Sequence, residues 1–404
     1  MGLPIALLGI AKTLLLVCGS LILLFAKPLA ANLSAKRLSR TSAIVLLILA
    51  IYAGSILWTT GTDTEALGSL VKYGKLLIIP VVVLLLRNRT EAIVALTVFM
   101  AVQFFLVLSS WMLFLRLPVP WAIANTALTH NAVFSSYLDE GLMAAVFASL
   151  CWHLRRLAPG RVGKWFAASA TLLALGTVFF VLEGRSGHIV AISLVTLAVF
   201  WELPRKYRLG IVVVPFLLLM GLYVASPKVQ NRIDLVKKEV QTFSFKKDEA
   251  ADYTSSSGIR LHFWHRAMQS IAEKPLLGSG AGSWSSEFNR LERLKNPAHQ
   301  DIPPRGNPHQ EFLMWGVQLG VPGILLLVAL MISILKDTLV MDQIAARATQ
   351  SVLLALAVAC LFNATLYDAL VGDFFCAALG FLLALGSAQK NHEVSGSADF
   401  VKAK

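Results

Sequence analysis

Charge is scarce in this chain: 15% of its 404 residues are Asp, Glu, Lys or Arg, against 56% that are hydrophobic. With a mean hydropathy of +0.69, that balance excludes a soluble globular domain of this length and identifies a polytopic membrane protein. Cysteine is scarcer, with 4 residues. Cys18, Cys151, Cys360 and Cys376 fall in or at the ends of apolar stretches, without paired spacing, so neither a disulfide framework nor a zinc site is implied. An Asp-any-Asp pair and a His/carboxylate cluster are also missing, and no metal or other cofactor is expected. No alternating pattern of roughly ten residues is present, which excludes a membrane barrel. No internal repeat stands out, and residues 3–26 lack a clear small-residue cleavage site, so no cleavable signal peptide is expected.

What is there is a series of apolar stretches, at roughly 3–26, 42–60, 65–86, 92–115, 133–153, 165–182, 188–201, 209–225, 309–335, 350–366 and 370–387. Most reach the roughly 17 to 25 residues of a spanning helix. In hydrocarbon they must satisfy their own backbone polar groups, so the fold class is all-α, with about eleven transmembrane helices, or twelve if the first stretch breaks around Lys12 and Gly19. Lys and Arg mark cytoplasmic connections: Lys36, Arg37 and Arg40, then Arg87 and Arg89, then Arg155, Arg156, Arg161 and Lys164, then Arg205, Lys206 and Arg208. This alternation puts residues 1–224 in a first set of spans, 225–308 in one large external loop, 309–388 in a second set of spans, and 389–404 in a cytoplasmic tail. Parity places the N-terminus outside for eleven spans and inside for twelve, and the large loop is external either way. The net charge of +13 is mostly the cytoplasmic rim, so it points to membrane lipids rather than nucleic acid.

The external loop divides in three. Residues 228–252 space Val229, Ile233, Val236 and Val240 among lysines, as an amphipathic helix on the membrane surface would. After a serine run that can cap it, a helix over 258–273 sets Ile259, Phe263, Ala267 and Ile271 on one face. The segment Gly278-Ser279-Gly280-Ala281-Gly282 reads as a flexible turn before a polar stretch to Arg305 and Gly306. Such a loop can fold over the membrane as a lid, and it closes on Asn307-Pro308-His309-Gln310-Glu311, where an apolar span resumes.

Several cations converge on this external side. Arg185 lies in the short connection Gly184-Arg185-Ser186-Gly187, and Arg260 and Arg266 lie on the external helix with His262 and His265. Lys72 and Lys75 lie one to three turns inside a span, where a charge costs about 2.5 to 3.5 kcal/mol and an interior role is favoured. Asp139, Glu140, Asp368 and Asp373 are available as acidic partners, and structural ion pairs are their default role. Guanidinium and ammonium groups facing the outer leaflet suit a diphosphate. A neutral histidine beside them suits a general base on a sugar hydroxyl. A lipid diphosphate leaves as a stable anion, so cations can replace both a metal and a general acid.

In this order and topology the three segments, Gly184-Arg185-Ser186-Gly187, Arg260 with the following Pro275-Leu276-Leu277-Gly278-Ser279-Gly280 turn, and Asn307-Pro308-His309-Gln310-Glu311, resemble the O-antigen ligase and polymerase superfamily, and most of all its ligases. The resemblance implies a metal-independent, inverting glycosyltransferase of the bacterial inner membrane that moves a glycan from undecaprenyl diphosphate to the lipid A core on the periplasmic face. It implies His309 as the catalytic base, Arg185, Arg260 and Lys75 as groups binding the donor diphosphate, and Asp368, Arg266 and Lys72 in support. The family's His-Asn-Glu pattern reads His309-Gln310-Glu311 here, and residue 310 is given no role. An O-antigen polymerase or a protein O-oligosaccharyltransferase of the same superfamily remains open, as does a lipid or polysaccharide transporter.

Overall fold

The structure, a computed structural model, describes residues 39–123, 129–182, 184–225, 256–295 and 306–402, with isolated positions at 14, 16–19, 21, 230 and 234. The first apolar stretch, the amphipathic segment 228–252 and Glu183 therefore lie essentially outside the described residues. Within them the chain is helical, with no strand. The membrane-region helices are α1 (Arg40–Gly54), α2 (Asp63–Gly74), α3 (Ile78–Leu85), α4 (Arg89–Phe114), α5 (Tyr137–Leu154), α6 (Gly160–Gly176), α7 (Arg185–Glu202) and α8 (Val213–Ala225). The loop helices α9 (Ser256–Glu273) and α10 (Trp284–Lys295) follow, and then α11 (Glu311–Thr338), α12 (Gln343–Phe362) and α13 (Ala369–Lys402).

Among the described residues seven helical segments are long and apolar enough to cross a membrane: Arg40–Trp58, Asp63–Leu85, Arg89–Phe114, Gly160–Val181, Glu311–Thr338, Gln343–Phe362 and Ala369–Ser387. α5 and α7 carry polar ends and α8 has 13 residues, and all three pack into the same bundle. Side-chain caps start several segments, satisfying orphan N–H groups of the first turn: Ser39, Thr62, Asn88, Ser136 and Asp342 each accept from an N–H two or three residues on.

α5 is the central post. It is buried from Glu140 to Cys151 and packs against α4, α6, α7 and α12. Glycines allow the closest of these approaches: a Cβ on Gly187 would lie 3.0 Å from the carbonyl carbon of Gly141. In the motif around Arg185 the glycine is therefore a packing device between α5 and α7.

The external loop is anchored more firmly than its glycine content suggests. α9 turns Phe263 and Ala267 into the core as the apolar spacing predicts, and packs on α11. The turn that follows is hydrogen-bonded on two sides. Its Ser279 and Gly280 N–H groups donate to the Val317 and Gln318 carbonyls at 2.8 Å, and Ala281 and Ser279 carbonyls accept from Thr59 and Thr60. These helix carbonyls are free because α11 breaks at Gly320 (φ 70°), Pro322 has no N–H to give, and the Val321 N–H turns away to Pro275 at 2.7 Å. Gly280, at φ +85°, is needed for approach: a Cβ there would lie 2.3 Å from the Cα of Thr59. The polar stretch after this turn is also partly helical, since α10 buries Trp284, Phe288 and Leu291 against α9.

Candidate functional site

Two short loops and one helix entry meet beneath the lid, and two buried carboxylates fix them. Glu140, in the first turn of α5, accepts the N–H groups of Val133 (2.9 Å), Phe134 (2.7 Å) and Ser135 (3.2 Å). It is therefore a clamp on the loop before α5 and not the partner of a base. Glu311, fully buried, accepts from the Tyr73 hydroxyl (2.9 Å) and the Trp315 indole (2.8 Å) on one oxygen, and from the Leu366 N–H (2.8 Å) on the other. It joins α2 and α11 to the loop between α12 and α13. A buried carboxylate is tolerated only with this degree of satisfaction.

Between the clamped loops lies a cavity of about 470 Å³. His309 and Arg260 line it with Asp139, Asp368 and Asp373, together with Ser135, Ser136, Asn363 and Thr365. The structure thus brings His309, Arg260 and Asp368 to one cavity. Asp139, Asn363 and Thr365 were not anticipated as lining groups; the polar run Asn363-Ala364-Thr365 ending an apolar span was the available signal.

His309 stands just ahead of α11, in the left-handed region at φ 55°. Its N–H donates to the Asn307 side chain at 2.8 Å, an Asx turn that stabilises this conformation. Gln310 has a structural role after all: its side chain caps α11 by accepting from Leu313 N–H at 2.5 Å. The imidazole lies parallel to Phe263, with centroids 6.1 Å apart and planes at 9°. Among the described residues none hydrogen-bonds the ring. Burial, and then the charge of Arg260, push its pKa down to about 4, so the ring is neutral at physiological pH with a lone pair to offer.

Arg260, half-buried on α9, makes no hydrogen bond to a described residue. Burial, and then the charge of Arg185, depress its pKa, so the two guanidinium groups lie within electrostatic reach of each other. Arg185, the first residue of α7, stands beside the cavity rather than in its lining, while the neighbouring Ser186 hydroxyl accepts from Asn363 at 3.2 Å. Two like charges in a partly desolvated place repel, and an anion bound to both would relieve that repulsion.

Asp368 is pushed up to about 7 by burial, then by the charges of Asp139 and Glu311, with Lys75 and Lys72 opposing. Lys75 lies beneath the cavity, 1% exposed, and donates to the backbone carbonyls of Asp368 (2.5 Å) and Ala369 (3.4 Å). Lys72 sits over the Tyr367 ring, 3.7 Å from its centroid. Both lysines therefore brace the loop that carries Asp368. Arg266 is in the lid and away from the cavity, bound to Glu292 at 2.5 Å and Gln269 at 3.2 Å. Glu292 also meets His262 at 2.9 Å, so this group ties α9 to α10.

Residues 170–328 match the family model described as O-Antigen ligase, which takes in Arg185, Arg260 and His309. No curated protein matches the sequence. A chain of a solved structure described as "Structural coordination of polymerization and crosslinking by a peptidoglycan synthase complex" is similar over 86% of this chain and 96% of its own, at 16% identity and a TM-score of 0.46.

Proposed function

We propose that this protein, a membrane enzyme of the O-antigen ligase superfamily by its domain at 170–328, transfers a glycan from a lipid diphosphate to a sugar hydroxyl, as a lipopolysaccharide O-antigen ligase. The donor is undecaprenyl-diphosphate-linked O-antigen, the acceptor the lipid A core, and the site faces the periplasm from the inner membrane. One observation carries the reading: a neutral imidazole, His309, shares a cavity with Arg260, which lies within electrostatic reach of Arg185 and makes no hydrogen bond to a described residue.

The chemistry follows from the placement. His309 takes the proton of the acceptor hydroxyl as its oxygen bonds to the anomeric carbon. The bond from that carbon to the diphosphate oxygen breaks, its electron pair leaves with the diphosphate, and direct displacement inverts the anomeric centre. Arg260 and Arg185 supply bidentate donors to the departing anion. Donor binding also helps the base, because the diphosphate's negative charge offsets the Arg260 charge that depresses His309. The acidic and hydroxyl wall of Asp139, Asp368, Asp373, Ser135 and Thr365 suits the hydroxyls of a sugar acceptor.

The test is reconstitution of purified protein with undecaprenyl-diphosphate glycan and lipid A core in EDTA, wild type beside His309→Ala. Transfer to the core that vanishes in the variant supports the ligase. Lengthening of the lipid-linked glycan with none reaching the core would make the protein a polymerase instead. Inhibition by EDTA that magnesium or manganese reverses would overturn the metal-independent scheme.

A further inference from the structure

Far from this cavity, at the opposite end of the bundle, the structure carries a second site. α6 and α7 both lie on α5 with little contact between them, leaving a groove of about 370 Å³. Its floor is made of small residues of α5, Ala145, Ala148 and Ser149, and its walls are largely aliphatic. Along α7 it runs from Leu194 to Glu202, a rise of about 12 Å. That approaches the depth of one leaflet's hydrocarbon, half of a core of about 30 Å.

The groove is not wholly apolar. The Ser149 hydroxyl and the Trp152 indole N–H are buried along it without a partner. At its mouth three guanidinium groups gather around one carboxylate, and a fourth, Arg208, lies within electrostatic reach of Arg347. Arg155 and Arg156 approach the same oxygen of Glu202, at 3.3 and 3.5 Å, and Arg347 is within electrostatic reach of Glu202, Arg156 and Arg208. Aromatic faces position three of them: Arg155 over Trp152 at 3.5 Å, Arg208 over Phe200 at 4.8 Å, and Arg347 over Trp201 at 5.7 Å. Positive charge on a cytoplasmic rim is general, but its concentration on one glutamate at the end of a chain-wide groove is specific to this fold.

We infer that this groove holds one anionic phospholipid of the cytoplasmic leaflet, an acyl chain lying between α6 and α7 and the phosphate on the arginines around Glu202. The surplus of cationic charge supplies the selectivity, since guanidinium groups grip a phosphate diester bidentately. The groove supplies a slot of one chain's width.

Native mass spectrometry of detergent-purified protein offered equal phosphatidylglycerol and phosphatidylethanolamine reads the site directly, without reference to glycan transfer. One tightly retained phosphatidylglycerol is expected, preferred by about tenfold or more. The double variant Arg208→Gln, Arg347→Gln should bring the two lipids near parity, and Ala198→Phe, which fills the groove, should lower retention of both. Glu202→Gln removes the opposing carboxylate and should raise phosphatidylglycerol retention, so a fold-sparing change of opposite sign is available. Equal retention of the two lipids by the wild type, or a preference left unchanged by the double variant, would overturn the inference.

Discussion

Glu311 accepts the Leu366 N–H at 2.8 Å across 55 residues of sequence, and so ties the helix entry carrying His309 to the loop carrying Asp368. Both groups sit two positions from the contact. One buried carboxylate therefore contributes directly to their separation in the cavity. Glu311→Ala would leave the Tyr73 hydroxyl, the Trp315 indole and the Leu366 N–H without an acceptor, at a cost of roughly 3 kcal/mol or more. A lowered thermal midpoint in detergent, with transfer lost in proportion to misplacement of the loop, is the expected result.

His309→Ala should lower turnover on the order of 10²- to 10⁴-fold, while the thermal midpoint and donor affinity stay near wild type. The ring makes no hydrogen bond to a described residue, so little of the fold depends on it. Single-turnover transfer from bound donor is the measurement, and substantial residual turnover would remove His309 from the role of base.

Arg260→Ala and Arg185→Ala should weaken donor binding by about 1.5 to 3 kcal/mol each, roughly tenfold to 150-fold. Titration with lipid diphosphate checks this. Unchanged affinity in both variants would move the diphosphate elsewhere.

The pH dependence should separate two groups. His309 accepts a proton only as pH falls toward about 4, so its acid limb in kcat/KM lies well below that of an ordinary imidazole. In kcat, which reports the complex, the limb should move to higher pH because bound diphosphate offsets Arg260. Asp368 loses its proton near 7, and Asp368→Asn should erase any inflection there and leave the His309 limb in place.

Gly280→Ala should undock the lid turn, since both the φ of +85° and the nearby Thr59 backbone reject a Cβ. Limited proteolysis between 275 and 283 should become faster, and the thermal midpoint should fall.

The helices were legible in the sequence because spans must be apolar and continuous, and the α9 face because Ile259, Phe263, Ala267 and Ile271 share one stripe. His309 and Arg260 could be placed together from motif order alone. The rest depended on contacts distant in sequence. Nothing local to Lys75 reveals that its ammonium serves the Asp368 and Ala369 carbonyls, about 293 residues away. α10 is not marked out in the polar stretch to Gly306, because Trp284, Phe288 and Leu291 lie among charges that find partners within the lid, Arg290 with Glu273 and Glu287 among them. Arg266, a supporting candidate from the sequence, is taken up by Glu292 of α10, a partner 26 residues away.

The break in α11 has a mechanical consequence. The carbonyls of Val317 and Gln318 find their donors in the lid turn, so pulling that turn away would strand two acceptors inside the bundle. The turn and the membrane helix thus move as one body. Residues 278–281 are in effect a continuation of α11, and a change that loosens them would loosen the membrane helix at its break.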